Sequence, residues 1–587
     1  MKDFIKYTIA TILGLFISFV FLGILLFFSV LGLVSSGGNK NVTVKSNSII
    51  ELDLDYDIQE RSSNSFAKIF SPEMSESFIG LDQLLSIIEH AKNDDKIKGI
   101  YLKTNINTSG YAVLSEVRNA LDSFKKSGKF IYAMASYYDE KNYYLASVAD
   151  SVFIEKTGNI LLNGLSANIM FYSGALEKLG VEMQYVKVGS YKGAIEAFTR
   201  KDLSPENREQ ISSYLNILYR NILFDMANGR KLDIDTLKYA LDNFTIQSAS
   251  DAKSFGLIDD LTHEDVIVTN ICNRIKNKDK KCHVFIKGSE YMQSISDKKE
   301  VKSKDKIAIV YAVGEIMEGQ GNDNTIGSIS LSKAIRQARE DKHIKAIVLR
   351  VNSPGGSALA SDIIAREISL CKGVKPVVVS MSDVAASGGY YISALADTII
   401  ALPNTLTGSI GVFGLFPNMQ NLLNDKMGIT FESVNTGKYS DFGRVDRPLS
   451  ETDRFYLQKM VNQIYNDFTG IVENGRNIDS SSVEAIAQGR VWAASQAIEH
   501  KLVDSYGGIK NAISIAAFMS KTKDYSVVSY PKIEDPFSQF FNQSSNELMQ
   551  RQMQNELGIF YHYYQSLMTG IKNQGFQMRL PFNLQIQ

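Results

Sequence analysis

Ala91-Lys-Asn-Asp-Asp-Lys-Ile-Lys-Gly-Ile-Tyr-Leu-Lys103 and Ala338-Arg-Glu-Asp-Lys-His-Ile-Lys-Ala-Ile-Val-Leu-Arg350 are the two stretches whose comparison decides the fold. Ala91, Asp94, Ile97, Lys98, Ile100 and Leu102 match Ala338, Asp341, Ile344, Lys345, Ile347 and Leu349 at one constant offset of 247 residues. The same offset pairs Asn105 with Asn352, Met134 with Met381, Tyr143-Tyr144 with Tyr390-Tyr391, and Asp150 with Asp397. After one inserted residue, Gly189-Ser-Tyr191 falls on Gly437-Lys-Tyr439. Near the ends, Ala249-Ser250 and Leu257-Ile-Asp259 fall on Ala494-Ser495 and Leu502-Val-Asp504. A register held over so many positions marks a duplicated domain.

Each copy opens with a strand candidate, Ile49–Ile58 or Ile307–Ile316. A helical stretch follows, with Leu84 and Ile88, or Leu331 and Ile335, four apart on one face. Then come a β-branched strand (Ile97–Lys103; Ile344–Val351), a helix and a second apolar strand (Lys129–Ala133; Pro376–Ser380). Strands alternating with helices predict βαβ units and a largely parallel, covered sheet, an α/β class. The expected boundaries are a first repeat over 48–295, a charged linker over 296–306 and a second repeat over 307–522. Residues 523–587 form a C-terminal extension rich in Gln, Asn, Phe and Tyr, in which Ser544–Ile571 is a helix candidate.

The N-terminal region has a different character. Residues 1–6 are a short tail, and no charge interrupts Tyr7 to Val34. That run exceeds the roughly 20 residues needed to cross a bilayer. It is also longer than the apolar region of a secretory signal, and no Ala-x-Ala follows, so 7–34 reads as a retained single-span anchor. Residues 35–47 read as a flexible linker.

Composition narrows the function further. A chain of 587 residues with 44% hydrophobic and 22% charged residues holds more than one globular domain. A net charge of −1, with neither half strongly basic, argues against a nucleic-acid partner. The six histidines are scattered without metal-ligand spacing, so neither a metal nor a cofactor is expected. Three cysteines allow one Cys272–Cys282 pair in an oxidising compartment, or three free thiols.

The two copies differ at chemically loaded positions. Met381-Ser-Asp-Val-Ala-Ala-Ser387-Gly-Gly-Tyr-Tyr391 presents one serine after small residues, before a glycine pair and an apolar, helix-like segment, Tyr390 to Ala396. Its counterpart in the first copy is Glu140, with no glycine pair. The second copy also has Asn352-Ser-Pro-Gly355-Gly356-Ser357 after its strand, where the first has Asn105-Ile-Asn-Thr-Ser109-Gly110. Backbone N–H groups of such glycines suit an oxyanion hole. Conversely, the first copy has Tyr191-Lys192-Gly193 where the second has Tyr439-Ser440-Asp441. No histidine shares a motif with either glycine loop. A lysine can take a serine's proton when burial lowers its pKa from about 10.4.

Gly189-Ser-Tyr-Lys192-Gly-Ala-Ile-Glu-Ala-Phe-Thr-Arg200, Ser353-Pro-Gly-Gly356, Ala385-Ala-Ser387-Gly-Gly-Tyr390 and Leu406-Thr-Gly-Ser409-Ile-Gly411 closely resemble the signal peptide peptidase A family, in its long, double-domain bacterial form. The likeness spans about residues 45 to 520 and includes the order of the motifs, the duplication and the N-terminal anchor. The resemblance implies tandem Clp protease/crotonase-like domains and a serine endopeptidase with a Ser–Lys dyad. By motif matching, Ser387 would be the nucleophile, Lys192 the general base, and Ser409 the residue that orients the lysine. Gly355 and Gly356, with the N–H of Gly388, would form the oxyanion hole. It also implies remnant signal peptides as substrates, a bowl-like homo-oligomer such as a tetramer, and attachment to the bacterial cytoplasmic membrane with the bulk outside.

Two other readings compete. A crotonase-like acyl-CoA enzyme would need a carboxylate, and the loop carrying Ser387 offers only Asp383. A non-catalytic membrane scaffold would use the repeat for assembly alone.

Overall fold

Both copies form the strand–helix alternation expected of them, in a computed structural model. It describes residues 43–62, 79–276, 284–296, 303–322, 324–532 and 575–580, with Cys282, Met553 and parts of an N-terminal helix. The first copy contributes β1 (Ser48–Asp53), β2 (Ile97–Lys103), β3 (Phe130–Tyr138), β4 (Ser151–Ile160), β5 (Glu182–Val188), β6 (Asp260–Leu261) and β7 (Phe285–Lys287). The second begins with β8 (Lys306–Val313), β9 (Glu315–Met317), β10 (Thr325–Gly327), β11 (Ile344–Ser353), β12 (Gly355–Ser357) and β13 (Val377–Ala386). It continues with β14 (Thr398–Ala401), β15 (Leu406–Gly408), β16 (Val412–Asn418), β17 (Val491–Ala493), β18 (Ser505–Tyr506) and β19 (Ser526–Tyr530). β20 (Gly575–Arg579) lies in the C-terminal region.

The duplication is visible in strand order. One sheet runs β7-β1-β2-β3-β4-β6, every pair parallel. The other contains the path β19-β8-β11-β13-β14-β18, again every pair parallel. The two paths agree strand for strand. β19 therefore stands where β7 stands in the first copy, although it lies beyond Thr522, where the repeat fades in the sequence.

Residues that match at the constant offset make matching bonds. The carboxylates of Asp150 and Asp397 accept from the N–H groups of Ile131 and Val377, both at 2.8 Å. Asp259 and Asp504 accept from Val152 and Ile399, both at 2.7 Å. The Tyr143 and Tyr390 hydroxyls donate to the carbonyls of Leu257 and Leu502. The two tyrosine hydroxyls are fully buried, where an unpaired polar group costs about 1–3 kcal/mol, whereas the four aspartates are exposed and tie the chain to the strand starts.

The helices that matter for the site are α1 (Leu81–Asn93), α2 (Tyr111–Lys125), α3 (Glu140–Ala146), α4 (Pro205–Arg230), α5 (Ser328–Glu340), α6 (Ala358–Cys371), α7 (Gly388–Tyr391), α8 (Glu451–Arg476) and α9 (Ile509–Met519). α1 buries Leu81, Leu84, Leu85 and Ile88, and α5 buries Leu331, Ala334, Ile335 and Ala338, the spacing of one helix face. α4 and α8 each open on a serine, Ser204 or Ser450, whose side chain accepts from a backbone N–H three residues on.

A third sheet, β10-β9-β12-β20-β16-β5, mixes the copies. β5 lies antiparallel to β16 in an unbroken register from Glu182 opposite Asn418 to Val188 opposite Val412. This pairing carries the chain that follows β5 into the second copy. On the other side a buried charge cluster joins the copies. Arg350 of β11 donates through Nε to Glu60 at 2.7 Å and through Nη2 to Glu116 at 2.8 Å, and its Nη1 reaches Ser380 Oγ at 2.9 Å.

The N-terminal helix Lys6–Gly23 is long and apolar enough to cross a membrane, and its described side chains are unburied. Cys272 and Cys282 form a disulfide, so the first of the two cysteine alternatives holds. Of the linkers expected over 35–47 and 296–306, residues 35–42 and 297–302 lie outside the described residues, as does the helix expected over Ser544–Ile571 except Met553.

Candidate active site

β13 runs to Ala386, and the chain then turns sharply at Ser387, with φ +56° and ψ −116°. A side chain in such backbone stores strain of about 1–3 kcal/mol, which the surroundings must hold in place. They do so through the Ser387 N–H, which donates to the Gly408 carbonyl, and the Ser387 carbonyl, which accepts from Tyr391 N–H, each at 2.8 Å. α7 begins at once but lasts a single turn. The longer helix expected over Tyr390–Ala396 gives way to turns, because the chain must bring Asp397 and β14 back beside β13.

Lys192 arrives from the opposite copy. After β5 the chain turns at Gly189, and Tyr191 N–H donates to the Gln488 carbonyl at 2.9 Å. Gln210 of α4 fastens the turn to the second copy: its Nε2 donates to the Tyr191 carbonyl and its Oε1 accepts from Val491 N–H, both at 2.9 Å. The lysine stem then passes two glycines. A Cβ on Gly489 would sit 2.7 Å from Lys192 Cβ, and one on Gly411 would sit 3.2 Å from Lys192 Cδ. Neither Gln210 nor Gly489 stands out in the sequence, because their role is to clear and fix a path between distant segments.

At the end of that path, Lys192 Nζ lies 2.7 Å from Ser387 Oγ, 2.9 Å from the Ser409 carbonyl and 3.0 Å from Ser409 Oγ. All three residues are completely buried. The partners of Nζ are neutral oxygens, with no carboxylate among them. Burial alone therefore acts on the ammonium and pushes the Lys192 pKa well below its ordinary value. Ser409 is itself held in left-handed backbone, φ +51°, by an N–H bond to the Arg490 carbonyl.

Gly355 and Gly356 form β12 with Ser357, whose hydroxyl accepts from Ala360 N–H and caps α6. Both glycines have positive φ, +97° and +156°. A Cβ on Gly388 would lie 3.2 Å from both Gly355 Cα and Gly356 N, so the two glycine segments meet beside Ser387. All six residues singled out from the sequence thus come together in one place.

Their counterparts in the other copy do different work. Glu140, opposite Ser387 in the repeat, accepts from the N–H groups of Asn163 and Gly164 at 2.5 and 2.8 Å and holds that loop. Ser440, opposite Lys192, lies in an exposed loop and donates to the Gly437 carbonyl. Asp383 turns to the first copy, where it accepts from Ala112 and Val113 N–H at the start of α2. Both bonds use the same oxygen, Oδ1, and tie the one carboxylate of the Ser387 loop to the inter-copy contact that an acyl-CoA reading would need it to leave.

Comparison with known proteins identifies the family of the chain. The model for peptidase family S49 matches the chain twice, over residues 123–277 and 370–523. Protease 4 of Haemophilus influenzae is 32% identical over 521 residues, covering 85% of this chain and 83% of its own. A chloroplastic serine protease, SPPA, of Arabidopsis thaliana is 35% identical over 489 residues, or 81% of this chain and 69% of its own. Protease 4 of Salmonella typhi is 33% identical over 460 residues, or 77% and 74%. With one family matched in both copies and relatives aligned along most of its length, the chain belongs to peptidase family S49, as a serine-type peptidase.

Proposed function

We propose that the chain is a membrane-anchored endopeptidase that cleaves hydrophobic peptides, remnant signal peptides among them, through a Ser387–Lys192 dyad. The observation that carries this reading is the 2.7 Å approach of a fully buried lysine amine to the hydroxyl of a serine held in strained backbone. Neutral Lys192 takes the Ser387 proton as Oγ attacks the peptide carbonyl, and a C–O bond forms as the carbonyl π pair moves onto oxygen. In this reading Gly355, Gly356 and Gly388, whose segments meet beside Ser387, supply the oxyanion hole, for which the Gly355 N–H would have to turn from Ser353 Oγ, to which it donates at 3.2 Å. The Lys192 ammonium then returns its proton to the leaving amine as the C–N bond breaks. Water repeats the sequence on the acyl-enzyme and regenerates both side chains. Ser409 offers two acceptors that aim Nζ at Ser387 through both protonation states.

An anchor fits a peptidase whose substrates are apolar and membrane-borne, and Lys6–Gly23 supplies a helix of suitable length. The Cys272–Cys282 disulfide fits an oxidising, extracytoplasmic side for the bulk of the chain. A relative from Enterococcus faecium, 36% identical over 197 residues, carries the name signal peptide peptidase. The same reading takes a homo-oligomer as the working form.

A serine-directed acylating probe tests the dyad. Wild-type protein should take up one label at Ser387 and Lys192→Ala should label at least about a hundredfold more slowly. Labelling of folded Ser387→Ala at the wild-type rate would exclude the reading.

A further inference from the structure

Helix α2 of the first copy begins without a cap of its own. Its N-cap residue is Gly110, which has no side chain to accept from the first-turn N–H groups. The offset of 247 residues that aligns the copies places Gly110 opposite Ser357. Ser357 caps α6 in the ordinary way, its hydroxyl accepting from Ala360 N–H at 3.3 Å. α2 is capped instead from the other copy. Asp383 Oδ1 accepts from Ala112 N–H at 2.9 Å and from Val113 N–H at 3.1 Å. These are the second and third residues of the helix, the donors that an N-cap side chain ordinarily serves. Gly110 has φ −71° and ψ 157°, a backbone open to any residue, but a Cβ there would lie 2.2 Å from Asp383 Cγ. Glycine at 110 makes room for the aspartate of the other copy.

Asp383 lies on the strand that ends beside Ser387. β11 and β13 pair as Val351 with Met381 and then as Ser353 with Ala385, so Asn352 alone faces Ser382, Asp383 and Val384. A bulge of this kind re-aims a side chain, and here Asp383 is aimed at α2. Val384 N–H donates to Asn352 Oδ1 at 3.3 Å, while Asn352 Nδ2 donates to Glu60 of the first copy at 3.0 Å. Further along, Ala385 and Ala386 pair with Thr407 and Gly408 of β15, the strand that leads to Ser409. The serine strand is therefore tied along one edge to the segment that binds Lys192 Nζ, and at its bulge to the copy that delivers Lys192. In the first copy the residue opposite Asp383 is Ser136, whose N–H and hydroxyl both donate to Asn105 of the same copy. Of the two copies, the one that holds the serine is the one that reaches across.

We propose that Asp383 is a positioning residue for the reaction at Ser387: by capping α2 across the copies, it sets the serine strand against the body that carries Lys192. This rests on the reading of Ser387 and Lys192 as the dyad. On the lysine side the copies are held in register by β5 against β16 and by Gln210. On the serine side the corresponding tie is Asp383, four residues before the nucleophile. The gap between Nζ and Oγ depends on both ties, and a slide near 1 Å at either would open it. Both bonds from α2 end on a single oxygen, so an amide oxygen can accept them as a carboxylate does. Acceptor geometry, not charge, is what the position requires. Glu116, further along α2, bonds to Arg350 of β11 at 2.8 Å and keeps the helix on the second copy when the cap is lost. Removing Asp383 therefore shifts the serine strand without parting the copies.

The test uses full-length protein in detergent and a fluorogenic apolar peptide amide, with melting curves to confirm that each variant is folded at the assay temperature. Asp383→Ala should lower kcat by about ten- to a hundredfold and leave KM within about twofold. Asp383→Asn keeps the acceptor and should hold kcat within about threefold of wild type. The double variant Gly110→Ser, Asp383→Ala gives α2 the kind of cap that α6 has, in the space the aspartate leaves. It should recover the melting temperature lost in Asp383→Ala while kcat stays low, because the serine strand is still untied. Recovery of kcat together with the melting temperature would show that Asp383 only stabilises α2, and would overturn the proposal. So would wild-type kcat in folded Asp383→Ala, a result that needs no double variant to fold. Ser387→Ala is measured alongside. Turnover by that variant would remove the dyad and this proposal with it, whereas either of the other results with Ser387→Ala inactive would remove this proposal alone.

Discussion

Lys192 Nζ and Ser387 Oγ lie 2.7 Å apart although 195 residues separate them and each belongs to a different copy of the repeat. Neither copy alone holds both groups. The site exists because β5 crosses to pair with β16, and because Gln210 and Tyr191 bind the turn before Lys192 to Val491 and Gln488. On the proposed dyad, a duplication that left Ser387 in one copy and Lys192 in the other makes the contact between copies a requirement for activity.

Lys192→Met should lower kcat by about 10²–10⁴-fold, the usual worth of a general base. The same change should raise the melting temperature. The folded-state pKa of Lys192 lies below its unfolded value of 10.5, so the folded protein binds fewer protons across that interval and its stability rises with pH there. At neutral pH the buried amine is therefore a liability that methionine removes. Wild-type kcat should climb with pH through the depressed pKa, as the amine becomes neutral. Thermal melts and a pH–rate profile check both signs; a lower melting temperature in Lys192→Met would contradict the first.

Gly489→Ala should inactivate by displacing the lysine. The new Cβ would lie 2.7 Å from both Lys192 Cβ and Lys192 N, at a residue with φ +77°. Gly128→Ala is the matched control, since Gly128 has φ +88° and nothing within 4 Å. Each should lose about 1–2 kcal/mol of stability from left-handed backbone. Only Gly489→Ala should also lose activity, by about a hundredfold, as expected for a misplacement near 1 Å. Comparable activity in the two variants would show that the lysine path tolerates the shift.

Arg350→Met should destabilise by about 3–5 kcal/mol, because Glu60 and Glu116 would remain buried opposite an uncharged side chain. The triple change Arg350→Met, Glu60→Gln, Glu116→Gln should recover a large part of that loss. Denaturant midpoints for the four proteins with single and combined changes measure the coupling directly.

Asp383→Asn should flatten one component of the stability–pH curve. Burial, reinforced by the nearby Glu60 charge, pushes the Asp383 carboxyl up to about 6, against the N–H bonds from Val113 and Ala112 and the attraction of Arg350. Between the unfolded value, 3.8, and about 6 the folded state holds more protons than the unfolded state. The contribution of Asp383 is therefore greatest below pH 3.8 and is lost as pH rises through about 6. Two pKa units correspond to about 3 kcal/mol. The difference in melting temperature between the two proteins should narrow toward acid pH and widen toward neutrality, with the variant the more stable at pH 7. A constant difference would place the titration elsewhere.

The internal repeat was readable because matched residues make matched internal bonds, such as Asp150 with Asp397 and Tyr143 with Tyr390. Local pattern determined the α/β class, since strands buried on both faces must be apolar runs and helices between them must be one-sided. Differences between the copies were also enough to single out Ser387, Lys192 and the glycines, whereas Ser409 came from the resemblance to a known family. Tertiary structure alone decided how they meet. Nothing local to Lys192 encodes its burial, which comes from Gly411, Gly489, Ser387 and Ser409, all more than 190 residues away. Nor does a short, unremarkable Phe-Gln-Met-Arg-Leu near the C-terminus announce a strand, because its partners are two edges that only the assembled fold brings one strand-width apart. Pairing energy of that kind belongs to the gap rather than to the segment, and so it is written in no single stretch of sequence.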